Sequence, residues 1–504
     1  MKHGLSKSRY TQFRTCSKAL WLNLFKPQEG IINEDTLERF AFGVEVGNLA
    51  KGLLGAYEDM TVHREDGHLD YAAMVAKTKE ALTRGVENIC EAAFSYDGNY
   101  CAVDILHKTE GDYAIYEVKS STHDDKNIYI WDIAYQKYIL TQCGITVIGT
   151  YLVSINNEYV RQEELDIQQL FNITDLADAV EKEYNRVEAD IESAKLILDG
   201  NEPETSLSIS CHKPYDCAFW QYCTKDLPTP SVFSVYRLNF KRKLALHSAG
   251  RITYDNLVDY KLNPIQRAQV DCTLNNTQHI NWEKIKEFLD TLWYPMYYLD
   301  FESIRPIIPQ YDGTHPYQQL ATQYSLHYQL EQGGELFHTE YLAPSKGNPL
   351  RPLAEQLCKD IPQDACVIVY NKTFECGRLK EMSAMFPDLS AHLTAIHDNV
   401  RDLYDPFRKG YYYVPGMGGS FSIKSVLPAL FPNAPELDYH TLDELCQNGG
   451  DAMSLFPKLK NLSPEEEQKA RQALLDYCYL DTLAMVKVLS KLYEAVKSTY
   501  HNNL

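Results

Sequence analysis

No run of 18 apolar residues occurs in this chain, and its first residues, MKHGLSKSRYTQF, lack the apolar core of a secretory leader. Neither a membrane span nor an export signal is therefore expected, and the chain reads as cytoplasmic. Positive charge is also scarce. Lys and Arg number 49 against 69 Asp and Glu, a formal net charge of −20. A scaffold that coats phosphates needs a cationic surface, so that class is disfavoured. A nuclease is not excluded, because its metal-binding groups are carboxylates. Tyrosine, by contrast, is abundant, with 36 residues suited either to stacking platforms or to an amphipathic core. Thirteen cysteines in a chain without an export signal read as thiols or metal ligands, not as a disulfide framework. At 504 residues, 44 % hydrophobic and 23 % charged, the chain has material for two to four globular domains.

The most informative stretch runs from Asp104 to Lys119. Asp104 closes a short apolar run, and after a charged turn the strand AIYEVK follows. The two-residue period of a strand sets Glu117 and Lys119 on one face and Tyr116 and Val118 on the other. Two carboxylates and a lysine converging in this way can hold a divalent ion and a water over a phosphodiester. Upstream, Ser6 or Ser8 caps a first helix that contains Cys16. A second helix is expected over 36–54, where Gly43 and Gly47 would permit close packing, and a third within 66–92. Downstream come a polar loop, SSTHDDKN, a helix over 130–141 carrying Gln136 and Tyr138, a strand in GITVIGTYLVSI, and charged helix from 167 to 198. CHKPYDCAFWQYC then sets Cys211, Cys217 and Cys223 with five residues between neighbours, which points to a metal site. Three thiolates leave such a site one ligand short, and zinc completed by His212 or a remote cysteine is one solution.

Cys16, then Asp104, Glu117, Lys119 and Gln136, then the three late cysteines, resemble in their order the RecB-type nucleases of the PD-(D/E)XK class that carry an iron–sulfur cluster. These include the CRISPR-adaptation nucleases and the nuclease domain of the AddB recombination subunit. The resemblance covers residues 5–225. It implies a restriction-endonuclease-like α/β core, Asp104 and Glu117 as metal ligands with Lys119 and Gln136 in the catalytic set, and a [4Fe–4S] cluster on Cys16, Cys211, Cys217 and Cys223. Two departures stand out. FAFGVEVGNLA lacks the family's early histidine, with Gly47 at that place and Glu45 as a substitute, and Gln136 and Tyr138 are only two apart.

Pro228 and Pro230 mark a linker, and a small helical connector, which includes the basic triplet Lys241, Arg242 and Lys243, completes residues 226–294. A new domain spanning 295–504 opens with MYYLDFES, which places Asp300 and Glu302 on one side of a strand. Two further strands follow, in ATQYSLHYQL and ELFHTEYLA, and then a helix over 348–359. A strand–turn–helix unit next presents Asn371 and Glu375. Asp398 and Asp402 come later, and Ser420 or Ser422 caps a helix beginning FSIKSVL. In the last long helix Tyr477 and Asp481 lie one turn apart. This order resembles the ribonuclease-H-like 3'→5' exonucleases of the DEDD type, in the tyrosine variant. The resemblance implies that Asp300, Glu302, Glu375 and Asp481 bind two divalent ions, Mg2+ or Mn2+, while Tyr477 orients the attacking water. Aspartate is usual where Glu375 stands, and Asp398 and Asp402 are reserve ligands. The whole chain also resembles a bacterial family that fuses these two modules.

The expected activity is metal-dependent hydrolysis of DNA, single-stranded or with free ends, with RNA a further substrate for the second module. DNA repair, phage defence and CRISPR adaptation all accommodate it. The competing reading is a nucleic-acid-binding or assembly protein that retains nuclease folds without turnover. A redox-sensing regulator is a third reading, and would need a solvent-accessible cluster.

Overall fold

The structure, a computed structural model, describes residues 4–122 and 127–502; the side chains of residues 34, 35 and 499–502 lie outside that description, as does the 123–126 part of the expected polar loop. The chain divides into two compact units, one formed by residues 1–226 with 306–318, the other by 227–305 with 319–504. Both are α/β, each around a mixed sheet. No helix among the described residues is long and apolar enough to cross a membrane.

In the first unit, Ser6 caps α1 (Lys7–Thr15) by accepting from Arg9 N, which satisfies an otherwise unpaired amide. Extended backbone at Cys16 ends α1, and α2 (Ser17–Phe25) starts directly after it. There follow α3 (Glu34–Ala50), β1 (Glu58–Asp59) and α4 (Tyr71–Arg84). The helix expected within 66–92 stops at Gly85, whose φ of 73° forms a left-handed cap. The apolar run beyond it is instead β2 (Asn88–Tyr96). β3 (Asn99–Thr109), β4 (Asp112–Val118), α5 (Asn127–Gln142) and β5 (Val147–Ile155) come next. The segment expected to be helical from 167 to 198 contains α6 (Ile167–Leu170), an edge strand β6 (Phe171–Asp175), α7 (Ala177–Tyr184) and α8 (Val187–Asp199). A short α9 (Trp220–Thr224) ends the unit's first segment.

The sheet order is β1-β2-β3-β4-β5-β6, with β2, β3 and β4 an antiparallel meander and β5 parallel to β4 after the α5 crossover. Alternation along β4 sorts the core. Ile115 packs in the cluster that holds Ile133 and Ile139 of α5, while Tyr116 and Val118 pack in the cluster that holds Val46 and Ala50 of α3. Glu117 thus faces α5. The close packing expected at Gly43 and Gly47 is absent. A Cβ at either glycine meets nothing within 4 Å, because that stretch of α3 is largely exposed, Phe40 and Val44 included.

The second unit begins with α10 (Phe240–Ser248), α11 (Pro264–Asn275), β7 (His279–Ile280) and α12 (Trp282–Leu289). Its main sheet uses β8 (Met296–Ile304), β9 (Leu320–Gln329) and β10 (Phe337–Leu342) as an antiparallel meander. After α13 (Leu350–Asp360), β11 (Cys366–Val369) joins the far side of β8 in parallel. α14 (Lys372–Met385) and α15 (Ser390–Asp398) lead to β12 (Val400–Asp402), parallel to β11, for a final order of β10-β9-β8-β11-β12. Then come α16 (Asp405–Arg408), β13 (Tyr412–Tyr413, paired with β7), α17 (Ile423–Leu430), α18 (Gly449–Leu455) and the long α19 (Pro464–Asn502). Tyr297, Leu299 and Phe301 pack on α13–α15, so Asp300 and Glu302 occupy the opposite face. α19 lies on that face. Gln323 Nε2 donates to Leu474 O at 2.8 Å, and the Thr482 hydroxyl meets Ser325 Oγ at 2.8 Å.

Candidate active sites

In the first unit the meander and α5 bring all four expected side chains together. Asp104 Oδ2 accepts the Val118 amide at 2.7 Å. Glu117, fully buried, accepts Gln136 Nε2 at 2.7 Å and is bonded by Lys119. Lys119 Nζ also reaches Asp132 Oδ2 at 2.9 Å, and Gln136 Nε2 reaches Asp132 Oδ1 at 3.1 Å. Gln136 therefore shares the site with Asp132, one helical turn back, while Tyr138 is buried in the core. Glu45 is exposed on α3.

Three members of this site left no local signal in the sequence. Lys7, the first residue of α1, donates to Asp104 Oδ1 at 3.2 Å and to the Glu117 oxygens at 3.2 and 3.3 Å. Asp132 is the second. The third, Glu91, stands on β2 between the pairs Cys90–Ile105 and Ala92–Val103, opposite Asp104, with a left-handed φ of 54°. Positive φ is uncommon for a non-glycine residue and marks a constrained position.

The charges are unequal. Burial pushes the Glu117 carboxyl up, but Lys119, Lys7 and Gln136 overcome it and hold it well below the usual range. Asp104 is raised by burial and by Glu117 against the pull of the lysines, and Asp132 is pushed up to about 6 by the same two causes. Burial, then Asp104, pushes Glu91 up to about 7.

Cys16, Cys211, Cys217 and Cys223 line one cavity of about 310 Å³ in this unit, and none is in a disulfide. Burial pushes the Cys217 thiol up to about 11, with the other three sulfurs adding to the shift. His212, the alternative ligand, has its Nδ1 2.5 Å from Asp216 Oδ1. A lone tetrahedral zinc with bonds near 2.3 Å needs sulfurs about 3.8 Å apart. Among the described residues, the one set of three or more His, Cys, Asp or Glu ligand atoms lying within 4.8 Å of one another is in the second unit. The four sulfurs share a cavity but do not form such a set.

That set is Asp300, Glu302 and Asp481. Two-residue spacing on β8 supplies the first two, and α19 brings the third across the sheet face. The site opens into a cavity of about 270 Å³, which Tyr477, Lys424 and Gly449 also line. A Cβ at Gly449 would lie 3.9 Å from both Glu302 Oε2 and the Tyr477 hydroxyl, which places this glycine at the wall between them. Tyr439 Oη donates to Asp481 Oδ1 at 2.6 Å, and Cys478 Sγ lies 3.7 Å from Asp300 Oδ2. Lys424 Nζ sits 4.8 Å from the Tyr477 ring centre and 5.0 Å from that of Tyr439. Burial, then repulsion from Asp481, raises Asp300 well above the carboxylate range; burial and Asp300 do the same to Glu302. Asp481 is raised by burial, with Tyr439, Lys424 and Tyr477 opposing.

Glu375 lies outside the three-residue set. It is buried at the start of α14, Oε2 has no hydrogen-bond partner, and burial followed by Asp300 raises it well above the usual range. Of the reserve residues, Asp402 acts as a cap, accepting the amides of Asn371 at 2.9 Å and Tyr404 at 3.1 Å. Asp398 is exposed and pairs with His397. Sequence reading overlooked Tyr439 and Cys478, and saw the segment of Lys424 without its charge.

Comparison with known proteins adds one family and three relatives. Residues 297–422 match the model of a domain of unknown function, DUF2779. The chain is 29 % identical over 227 residues to the uncharacterized protein UU173 of Ureaplasma parvum, covering 40 % of this chain and 32 % of that one. It is 24 % identical over 233 residues to the uncharacterized protein MG366 of Mycoplasma genitalium, covering 43 % and 33 %. The Mycoplasma pneumoniae homologue of MG366 is 26 % identical over 223 residues, covering 41 % and 32 %. The chain thus spans about a third of the length of the curated relatives it matches. The matched family segment holds Asp300, Glu302 and Glu375 but ends before Tyr477 and Asp481.

Proposed function

We propose that this protein is a metal-dependent nuclease whose second unit removes nucleotides from the 3' end of DNA or RNA. The observation that carries the reading is the convergence of Asp300, Glu302 and Asp481 at an open cavity. Carboxylates this close raise one another's proton affinity unless positive charge neutralises them. The donor set is all oxygen, which suits Mg2+ or Mn2+. When bound, such ions supply charge neutralisation and a water acidic enough to attack. The chain's own part is positional. Asp300, Glu302 and Asp481 would hold the ions, with Glu375 close enough to feel the Asp300 charge. The Tyr477 hydroxyl aligns the attacking water, and the Lys424 ammonium, the cation facing the cavity, stabilises charge on the phosphate oxygens. The β10-β9-β8-β11-β12 order, a meander extended by two parallel strands, supports a ribonuclease-H-like reading of this unit.

For the first unit the same reading assigns a PD-(D/E)XK nuclease core acting on DNA. Asp104 and Glu117 would hold an ion, Lys119 would steady the attacking water or the phosphate, and Gln136 fixes the Glu117 carboxylate. Four thiols lining one cavity are the observation behind a [4Fe–4S] cluster on Cys16, Cys211, Cys217 and Cys223, which would tie residue 16 to residues 211–223. Processing of DNA in repair or in defence against phage is the proposed setting. A second reading, a nucleic-acid-binding protein with a silent first unit, is favoured by Lys7, which already neutralises Asp104 and Glu117.

Incubating the purified chain with end-labelled single-stranded DNA and RNA, in Mn2+ or Mg2+ and in EDTA, tests the function. Cleavage confined to the metal lanes is expected. Intact strands of both kinds in every lane would leave the binding reading.

A further inference from the structure

We propose that Lys7 is the resident cation of the first unit's site and that a divalent ion binds there only by displacing it. This rests on the reading of Asp104 and Glu117 as metal ligands. The oxygens leave little choice. Asp104 Oδ2 is committed to the Val118 amide at 2.7 Å, so Oδ1 is left for an ion, and Oδ1 is the atom that Lys7 Nζ holds at 3.2 Å. Glu117 Oε2 is held by Gln136 at 2.7 Å, Oε1 by Lys119, and both take Lys7 as well, at 3.3 and 3.2 Å. An ion needs oxygens at about 2.1 Å and would use the lone pairs that now face the ammonium. Two cations do not share them.

Nor is Lys7 a surface lysine that happens to swing in. The residues before it are locked to the sheet. Leu5 O accepts the Tyr135 hydroxyl at 2.6 Å and the Tyr100 amide at 2.8 Å, and Leu5 N donates to Asn99 Oδ1 at 3.2 Å. A side chain at Gly4 would collide with Gly98 O, so the backbone approaches as closely as glycine permits. Ser6 caps the helix that Lys7 begins. The same helix ends at Cys16, so the segment that delivers the cation also delivers a sulfur to the cysteine cavity.

The test is Mn2+ titration of the full chain carrying Asp300→Asn, Glu302→Gln and Asp481→Asn, which remove the three clustered carboxylates of the second unit. Against that parent, Lys7→Met should bind Mn2+ at least tenfold more tightly, Lys7→Arg should stay within about threefold, and Asp104→Asn added to Lys7→Met should abolish the gain. In the parent itself, Mn2+ should raise acetylation of Lys7, read by mass spectrometry, at least threefold relative to the other lysines. This second measurement needs no change at Lys7 and decides the matter if Lys7→Met does not fold. Unchanged Mn2+ affinity in a folded Lys7→Met chain, or Lys7 acetylation indifferent to Mn2+, overturns the proposal. A Lys7→Met chain that gains metal yet cuts no strand leaves the displacement standing and removes the nuclease reading. Metal-dependent cutting that ignores Lys7 does the reverse.

Discussion

Replacing Asp300 by Asn should stabilise the metal-free protein, an inversion of what removing a buried polar contact normally does. Asp300, Glu302 and Asp481 present oxygens within 4.8 Å of one another. At an effective dielectric of about 20, two full charges at that distance repel by about 3.5 kcal/mol. The folded state avoids this by keeping protons, which is why burial and neighbouring charge raise Asp300 and Glu302 well above their usual values. A group raised on folding contributes stability that is complete below its unfolded pKa, near 4, and is lost as pH rises toward the folded value. Each retained proton costs about 1.4 kcal/mol per pH unit over that window. In EDTA the Asn chain should therefore exceed wild type by about 2–3 kcal/mol at pH 8 and by clearly less at pH 5. In Mn2+ at about 100 times its dissociation constant, wild type gains about 2.7 kcal/mol, which closes the gap at pH 8 and puts wild type ahead at pH 5. Denaturant unfolding, in EDTA and in Mn2+ at both pH values, measures all four differences. An Asn chain no more stable than wild type at pH 8 in EDTA would refute the electrostatic argument.

Three further outcomes are expected. Protein purified without oxygen should be brown with about four irons per chain, and Cys217→Ser should lose iron and solubility together; a colourless protein with one zinc contradicts this. Glu91→Gln should flatten the pH–stability curve in EDTA between about pH 4.5 and 7, because wild-type Glu91, raised to about 7, loses its contribution as pH climbs through that window; superimposable curves would remove Glu91 from the site. Tyr477→Phe should slow cleavage by about 10–100-fold, with Mn2+ affinity kept, since it removes orientation and not a ligand; weakened Mn2+ binding would make Tyr477 part of the metal site.

What the sequence disclosed was local. Two-residue alternation placed Glu117 with Lys119 and Asp300 with Glu302, and a four-residue step placed Tyr477 beside Asp481, because each relation depends only on backbone period. The missing parts are long-range. Lys7 meets Glu117 from 110 residues away, Tyr439 meets Asp481 from 42, and no spacing rule reaches that far. Glu91 was hidden in a run taken for helix. Its strand became apparent only once Gly85 had ended α4, and short apolar runs such as ICEAAF suit either element. The strand β6 was masked in the same way by the charged helices that follow it. Gly43 and Gly47 show the opposite failure, a packing signal on a helix face that stays open.

The central claim, that Asp300, Glu302 and Asp481 run metal-dependent removal of 3' nucleotides, is tested most directly on a 5'-labelled single strand. Lys119→Ala should be present throughout, so that the first unit contributes no cutting. With Mn2+, that chain should give a ladder shortening one nucleotide at a time from the 3' end, and adding Asp300→Asn or Asp481→Asn should slow it by at least several hundred-fold, about 3.5 kcal/mol of transition-state stabilisation. A single internal cut, or a ladder undiminished by Asp300→Asn, would contradict it.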